Sequence, residues 1–295
     1  MLFIHLIYYI YSTQAMVEAP RIRILYDNLK FIKNKIIINA SGASYKRLMI
    51  NLQGYLIKKW WFAGKYIYVN LIDDEKQYVI RTHLMMYGKI IINNSESFPK
   101  LTPFLILILD DNTTLTWYLS QIKILDPNCD TDSIKSNYTI CSSKKSITDS
   151  YNMMHYDISN KLYNYHAHMK HLLNGIDTYR DDIFVDFLLD QTYFPGVGNI
   201  LQQEALYRCQ ILPTKEISKF GTKRELKKIV MCLVDGLKIV VNLLYQSYLD
   251  KLSNNVHKPI FKIYHKSYCP LNHKTITKYL GFRERRTTWC PICQV

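Results

Sequence analysis

Four residues near the C-terminus have the types and spacing of a metal site: Cys269-x3-His273, then sixteen residues, then Cys290-x2-Cys293. Thiolates and an imidazole two to three residues apart reach one ion from a tight turn, and two such pairs complete a tetrahedron. Four protein ligands leave no open position, so the pattern predicts one structural zinc ion. The competing reading is chance clustering of thiols with one exposed histidine, and the spacing on both sides favours zinc. Residues 275–279 and 287–289 alternate as the strands of a β-hairpin would. Arg283, Arg285 and Arg286 lie between the two ligand pairs, where a rigid hairpin can offer guanidinium forks to phosphate.

A second candidate spans residues 188–214, LLDQTYFPGVGNILQQEALYRCQILPT. Gly196 and Gly198 permit a tight turn. Asn199 then opens a helix read as amphipathic, with Ile200, Ala205, Leu206 and Cys209 as its apolar members. Such a turn aims backbone N–H groups and the positive helix end at an anion. An ordinary corner between two core helices would look the same. His166, His168 and His171 cluster on another expected helix, but their spacing does not align all three, and they read as polar-face residues.

These elements sit in a chain of 295 residues with 38 Lys+Arg, 24 Asp+Glu and a formal net charge of +14. From residue 215 onward there are 16 basic and 5 acidic residues, so 16 − 5 = +11 of that charge is concentrated there. A basic region of this kind suggests a polyanion, nucleic acid first, against the plainer reading of a solvated face. Hydrophobic content of 48% and charged content of 21% exclude a disordered or low-complexity chain. Seven cysteines, sparse until the metal motif, argue against a secreted disulfide framework. Reduced thiols fit better and imply an intracellular protein. Residues 1–15, MLFIHLIYYIYSTQA, hold an apolar run of only ten residues, too short to span a bilayer. They read as an apolar leader, either the h-region of a signal peptide, though no Lys or Arg precedes it, or an over-extended reading frame ahead of a start at Met16, and no membrane partner is expected.

Elsewhere the chain falls into blocks. Residues 18–35 have helical periodicity. Short β-branched or aromatic runs follow at 36–38, 56–57, 66–71, 78–83, 89–92, 104–109 and 115–119, separated by turn residues. They predict an antiparallel sandwich or barrel. The polar stretch 129–150 reads as a linker. Helices are expected at 153–173, 180–191, 199–209, 223–242 and 243–252. The expected domains are 16–128, 129–150 (linker), 151–257 and 258–295. The fold class is α+β and multidomain: an N-terminal β-sandwich with flanking helices, a C-terminal helical domain, and a zinc-binding β-hairpin.

Taken together, the motifs resemble the formamidopyrimidine-DNA glycosylase / endonuclease VIII family. PGVGN with a following helix and Ile211-x-Pro213 is similar to that family's helix–two-turn–helix. Met16-Val17-Glu18-Ala19-Pro20 stands where the family usually has Met-Pro-Glu-Gly-Pro. Ala63-Gly64-Lys65-Tyr66 resembles its Gly-Lys turn, and His83-Leu84-Met85-Met86-Tyr87-Gly88 its HLGMSG-like strand. Arg285, five residues before Cys290, holds the position of the finger arginine. The Cys-His-Cys-Cys set with Cys269-Pro270 resembles the endonuclease VIII-like 2 branch. Residue usage low in Gly and rich in Asn, Ile, Tyr and Lys suits an AT-rich genome such as a giant virus.

The resemblance implies a bifunctional DNA glycosylase/lyase of base excision repair. Its nucleophile would be the α-amine of Val17, exposed by removal of Met16, in place of the family's proline. An α-amine titrates at about 7.7–8.0, against about 10.4 for lysine, so a useful fraction is neutral. Glu18 would be the general acid/base. Lys65, Gly198, Asn199 and Arg285 would hold DNA phosphates, Lys65 nearest the chemistry. Met86 would fill the gap left by an everted nucleotide. Arg21 replaces a second family glutamate. The implied partner is damaged DNA, with oxidised pyrimidines and hydantoin-type lesions, single strands and bubbles as candidate substrates, bound by a monomer. The alternatives are a zinc-stapled DNA-binding protein without catalysis and a protein tethered by its leader.

Overall fold

Alternating apolar residues on short strands, closed by tight turns, build the first part of the chain. A computed structural model describes residues 17–43, 45–48, 50–93, 101–127, 133–134, 139–141, 144–252 and 261–295. The leader 1–15, Met16 and part of the expected linker lie outside the described residues. Contacts divide the chain into two units, one mainly of residues 21–152 and one mainly of residues 18–20, 153–250 and 255–295.

Among the described residues the first unit holds ten strands: β1 (Ile37–Ser41), β2 (Leu56–Ala63), β3 (Tyr66–Ile72), β4 (Gln77–His83), β5 (Lys89–Ile92), β6 (Leu105–Leu109), β7 (Thr114–Tyr118), β8 (Gln121–Asp126), β9 (Ser133–Ile134) and β10 (Thr139–Cys141). One sheet runs β1-β6-β7-β5 and the other β2-β3-β4-β8-β10-β9. Every pairing is antiparallel except β8 with β10. Residues of both sheets share one core, including Leu107, Leu115 and Trp117 with Ile67, Val69 and Ile80. Helix α1 (Ala19–Asn28) adds Ile22 and Leu25 to it. Trp117 Nε1 donates to Thr82 Oγ1 at 3.2 Å, so this buried ring leaves no unpaired donor.

Three expectations change in this unit. The helix expected over 18–35 ends at Asn28 and continues only as a short 3-10 turn, Lys30–Ile32. Strand β8 was not expected, because it follows β7 through a turn with no Gly, Asn or Asp. Leu119 takes that turn at φ 48. The linker 129–150 is partly structured: it holds β9, β10 and the start of α2 (Lys144–Met154). Trp61 on β2 anchors α2, stacking between Tyr68 (5.1 Å) and Tyr151 (4.6 Å) and donating from Nε1 to Ser150 Oγ at 3.3 Å.

The second unit contains α3 (Tyr165–Gly175), α4 (Phe184–Leu189), α5 (Asn199–Arg208), α6 (Lys223–Leu252) and the hairpin β11 (Ile276–Leu280)–β12 (Arg285–Trp289). The helix expected over 153–173 is interrupted, since α2 and α3 are separated by a turn. The two helices expected over 223–252 are one, because no Pro or helix-ending Gly divides them. By length and composition α6 could cross a membrane, but Leu226, Val230, Leu233, Val234, Leu237 and Val241 are buried in this unit, as in a core helix. Contacts place the hairpin in the same unit as these helices. His168 is fully buried, not on a polar face. Its Nε2 lies 2.7 Å from Tyr193 O and its Nδ1 3.1 Å from the Tyr163 hydroxyl. Cys209 and Cys232 form a disulfide where reduced thiols were expected.

Candidate active site and metal centre

Helix α5 organises the second unit's candidate site from its first residue. The turn before it, 194–198, needs glycine twice for different reasons. Gly196 has φ 84, a left-handed conformation that favours glycine. Gly198 is extended, but a Cβ there would lie 2.4 Å from Oε1 of Glu18. Gln191 ties the turn down: its Nε2 donates to Leu189 O and Val197 O, and its Oε1 accepts from Gly196 N–H. Ala19 N–H donates to Gly196 O at 3.0 Å. The Glu18 carboxylate is thereby seated on the N-terminus of α5, accepting from Ile200 N–H at 2.8 Å and Leu201 N–H at 3.1 Å. The anion at this positive helix end is a side chain of the chain itself. The N–H groups of Gly198 and Asn199 donate to no acceptor among the described residues.

Far from being amphipathic, α5 is enclosed: the seven residues from Ile200 to Leu206 are all buried. Two of its polar side chains, Asn199 and Gln203, bind the metal hairpin. Asn199 Nδ2 donates to Arg286 O at 2.9 Å. Gln203 Nε2 donates to the same oxygen, and its Oε1 accepts from Thr288 N–H at 2.8 Å, imitating a neighbouring strand. Glu204, fully buried, accepts from the N–H groups of Lys262, Ile263 and Tyr264. Tyr264 lies close enough to feel two charges. Burial first, then Glu18, raises its hydroxyl pKa, and Arg286 opposes them. Sequence reading missed Gln191, Gln203, Glu204 and Tyr264, since each acts on backbone or charge distant in sequence.

Cys269, His273, Cys290 and Cys293 converge so that their ligand atoms all lie within 4.8 Å of one another. Sγ of Cys269 and Sγ of Cys293 are 3.8 Å apart, and His273 Nδ1 is 3.3 Å from Cys293 Sγ. Two sulfurs each about 2.3 Å from a tetrahedral ion stand about 3.8 Å apart, so the donor set fits such an ion. Burial raises the Cys269 thiol pKa, but hydrogen bonds from the backbone of His273 and Leu271 prevail and lower it to about 7. A thiolate at that position suits metal ligation. The hairpin tip is held as well. Phe282 N–H donates to Asp186 Oδ1 at 3.0 Å, and Arg283 Nη1 donates to Leu189 O at 3.2 Å. Arg285, opposite Leu280 at the start of β12, is exposed.

In the first unit, Val17 is 5% exposed and packs in the core cluster. It precedes Glu18 by one peptide bond. Lys65 occupies the β2–β3 turn, where Gly64 has φ 59. The ring of His83 is held neutral by burial first, then by the charges of Lys65 and Arg81, which together lower its pKa. Met86 is not on a strand. It lies in the turn after β4, exposed together with Met85 and Tyr87. Met86, Phe104 and Leu119 help line an open apolar cavity of about 700 Å³. Arg21 is buried, and its charge is one cause, after burial, of a lowered Lys89 pKa.

No family model matches the chain. Endonuclease 8-like L720 of Acanthamoeba polyphaga mimivirus is 52% identical over 281 residues, which cover 95% of this chain and all of that protein. A crystal structure of a viral DNA glycosylase is similar at 51% identity and TM-score 0.86, covering 95% of this chain and 100% of that one. MutM in complex with DNA containing carbocyclic 8-oxo-G has TM-score 0.67 at 16% identity, over 94% and 99% of the two chains, a likeness of fold. On the whole-length similarity to the mimivirus protein, this chain belongs to the formamidopyrimidine-DNA glycosylase / endonuclease VIII family of DNA glycosylases.

Proposed function

We propose that the protein removes oxidised bases from DNA and then cleaves the strand at the abasic sugar, acting through an α-amine on Val17. The observation that carries this reading is the Glu18 carboxylate, buried on the N-terminus of α5 and adjacent in sequence to Val17. Once Met16 is removed, the neutral Val17 amine attacks C1′, displaces the base and forms a Schiff base. The Glu18 carboxylate takes up the proton that the attacking amine releases, passes it to the sugar ring oxygen as the ring opens, and accepts another during elimination, which is β or β,δ in course. Lys65 holds the phosphate nearest this chemistry. The free N–H groups of Gly198 and Asn199, with the second amide hydrogen of Asn199, take another phosphate. Arg285 clamps the backbone from the finger tip, and Met86 occupies the gap left by the everted nucleotide. Zinc at Cys269, His273, Cys290 and Cys293 keeps the hairpin folded. Damaged DNA bound by a monomer, single-stranded and bubble contexts included, is the proposed partner.

The test is borohydride trapping on an abasic-site oligonucleotide with protein beginning at Val17 and protein beginning at Met1. A covalent adduct with the Val17 form alone is the expected result. An adduct with both forms places the nucleophile on another amine. No adduct with either, despite salt-sensitive DNA binding, leaves a monofunctional glycosylase or a binding protein.

A further inference from the structure

Beside the metal hairpin, the second unit contains an open cavity of about 470 Å³. The disulfide Cys209–Cys232 forms part of its wall, with Cys232 exposed and Cys209 partly so. Arg208, Lys262 and Asp235 line the same cavity. The Arg208 Nε is buried and has no hydrogen-bond partner. A surface disulfide flanked by two cations and one carboxylate has a definite chemical complement. It is a small thiol that itself carries carboxylates and an ammonium group. We propose that this cavity is a thiol–disulfide exchange site for a low-molecular-weight thiol of that zwitterionic, anionic class.

The step balances without further reagents. The incoming thiolate attacks the exposed Cys232 Sγ, the Cys209–Cys232 bond breaks, and Cys209 leaves as a thiolate that takes up a proton. A second thiol then attacks the mixed disulfide, releasing the oxidised small-molecule dimer and leaving Cys232 reduced. In reverse, Cys209 thiolate expels the small thiol and restores the bond. Arg208 and Lys262 raise the local concentration of an anionic thiol and orient it, so the site discriminates by charge. The exchange changes what holds α5. Cys209 lies at the C-terminal end of this helix, whose other residues seat Glu18 and grip the hairpin. Cys293 also lines the cavity, so zinc content is followed alongside the exchange.

Non-reducing peptide mapping of the full-length zinc-loaded protein should first find the Cys209–Cys232 linked peptide. Reduced glutathione and uncharged 2-mercaptoethanol then serve as probes, with quenched mass spectrometry following the adduct on Cys232. Removing a cation, as Arg208→Ala or Lys262→Ala, should slow the glutathione reaction about two- to fivefold. The mercaptoethanol rate should stay unchanged and zinc content intact. High salt should erase the wild-type preference, which carries the test even if a variant misfolds. Equal slowing of both thiols, no salt effect on the glutathione rate, or absence of the linked peptide would overturn the proposal.

Discussion

Gly198→Ala isolates the seat of Glu18 from every other effect. At φ −127 and ψ −165 the backbone suits alanine, so no conformational strain enters. The new Cβ would stand 2.4, 2.6 and 2.7 Å from Oε1, Cδ and Cγ of Glu18, inside contact distance for the whole carboxylate end. Since Ile200 and Leu201 are anchored in α5, the carboxylate must leave its two N–H donors. Hydrogen bonds to a charged group are worth about 1.5–3 kcal/mol each, so the loss is about 3–6 kcal/mol before relaxation. In a domain of this size each kcal/mol lowers the melting temperature by about 2–4 °C. Displacing the proposed general acid/base should cost about 10²–10⁴ in rate. Thermal melting and single-turnover strand cleavage on an abasic-site duplex read the two effects. In a Glu18→Ala background the same substitution should cost almost nothing, giving a coupling energy close to the lost bonds. A Gly198→Ala protein with wild-type melting and wild-type cleavage would refute the reasoning.

Three further outcomes follow from other parts of the second unit. Burial lowers the His168 pKa from 6.5 to about 4, so the neutral ring is the folded form. The unfolded chain binds the extra proton between those values, so stability should fall by about 3 kcal/mol as pH drops from 6.5 to 4, measured by denaturant titration. Glu204→Gln places an amide against the backbone N–H groups of residues 262–264 and should cost about 2–4 kcal/mol, read by thermal melting. Metal removal by a chelator should melt the hairpin and red-shift the fluorescence of Trp289, which is buried beside Cys290; an unchanged spectrum after verified metal loss would show that packing alone holds it.

The parts legible in the sequence were those with local signatures. Strand patterns and turn residues marked β1 to β7, and ligand spacing marked the metal hairpin before any coordinates. The turn at Leu119 carried no glycine, so β8 went unread although Ile122 and Ile124 alternate as strand residues do. Strand β10 pairs in parallel with β8, and nothing in three residues specifies such a partner. Glu18 was singled out, but its donors stand more than 180 positions away, as do the backbone groups that Gln203 and Glu204 find at more than 50. The pairing of Cys209 with Cys232 likewise depends on where two helices meet, not on cysteine count.

Helix α5 also bears on how this protein can vary. A surface helix tolerates change on every third or fourth residue, where side chains face water. In α5 the buried run from Ile200 to Leu206 has no such positions, and two of its three polar members, Gln203 and Glu204, bond backbone groups outside the helix. A saturation survey should therefore show a continuous intolerant block there, without helical periodicity. Adaptation to new lesions would be written outside it, at exposed turn residues such as Met85, Met86, Tyr87 and Leu119, which can change without disturbing what α5 holds.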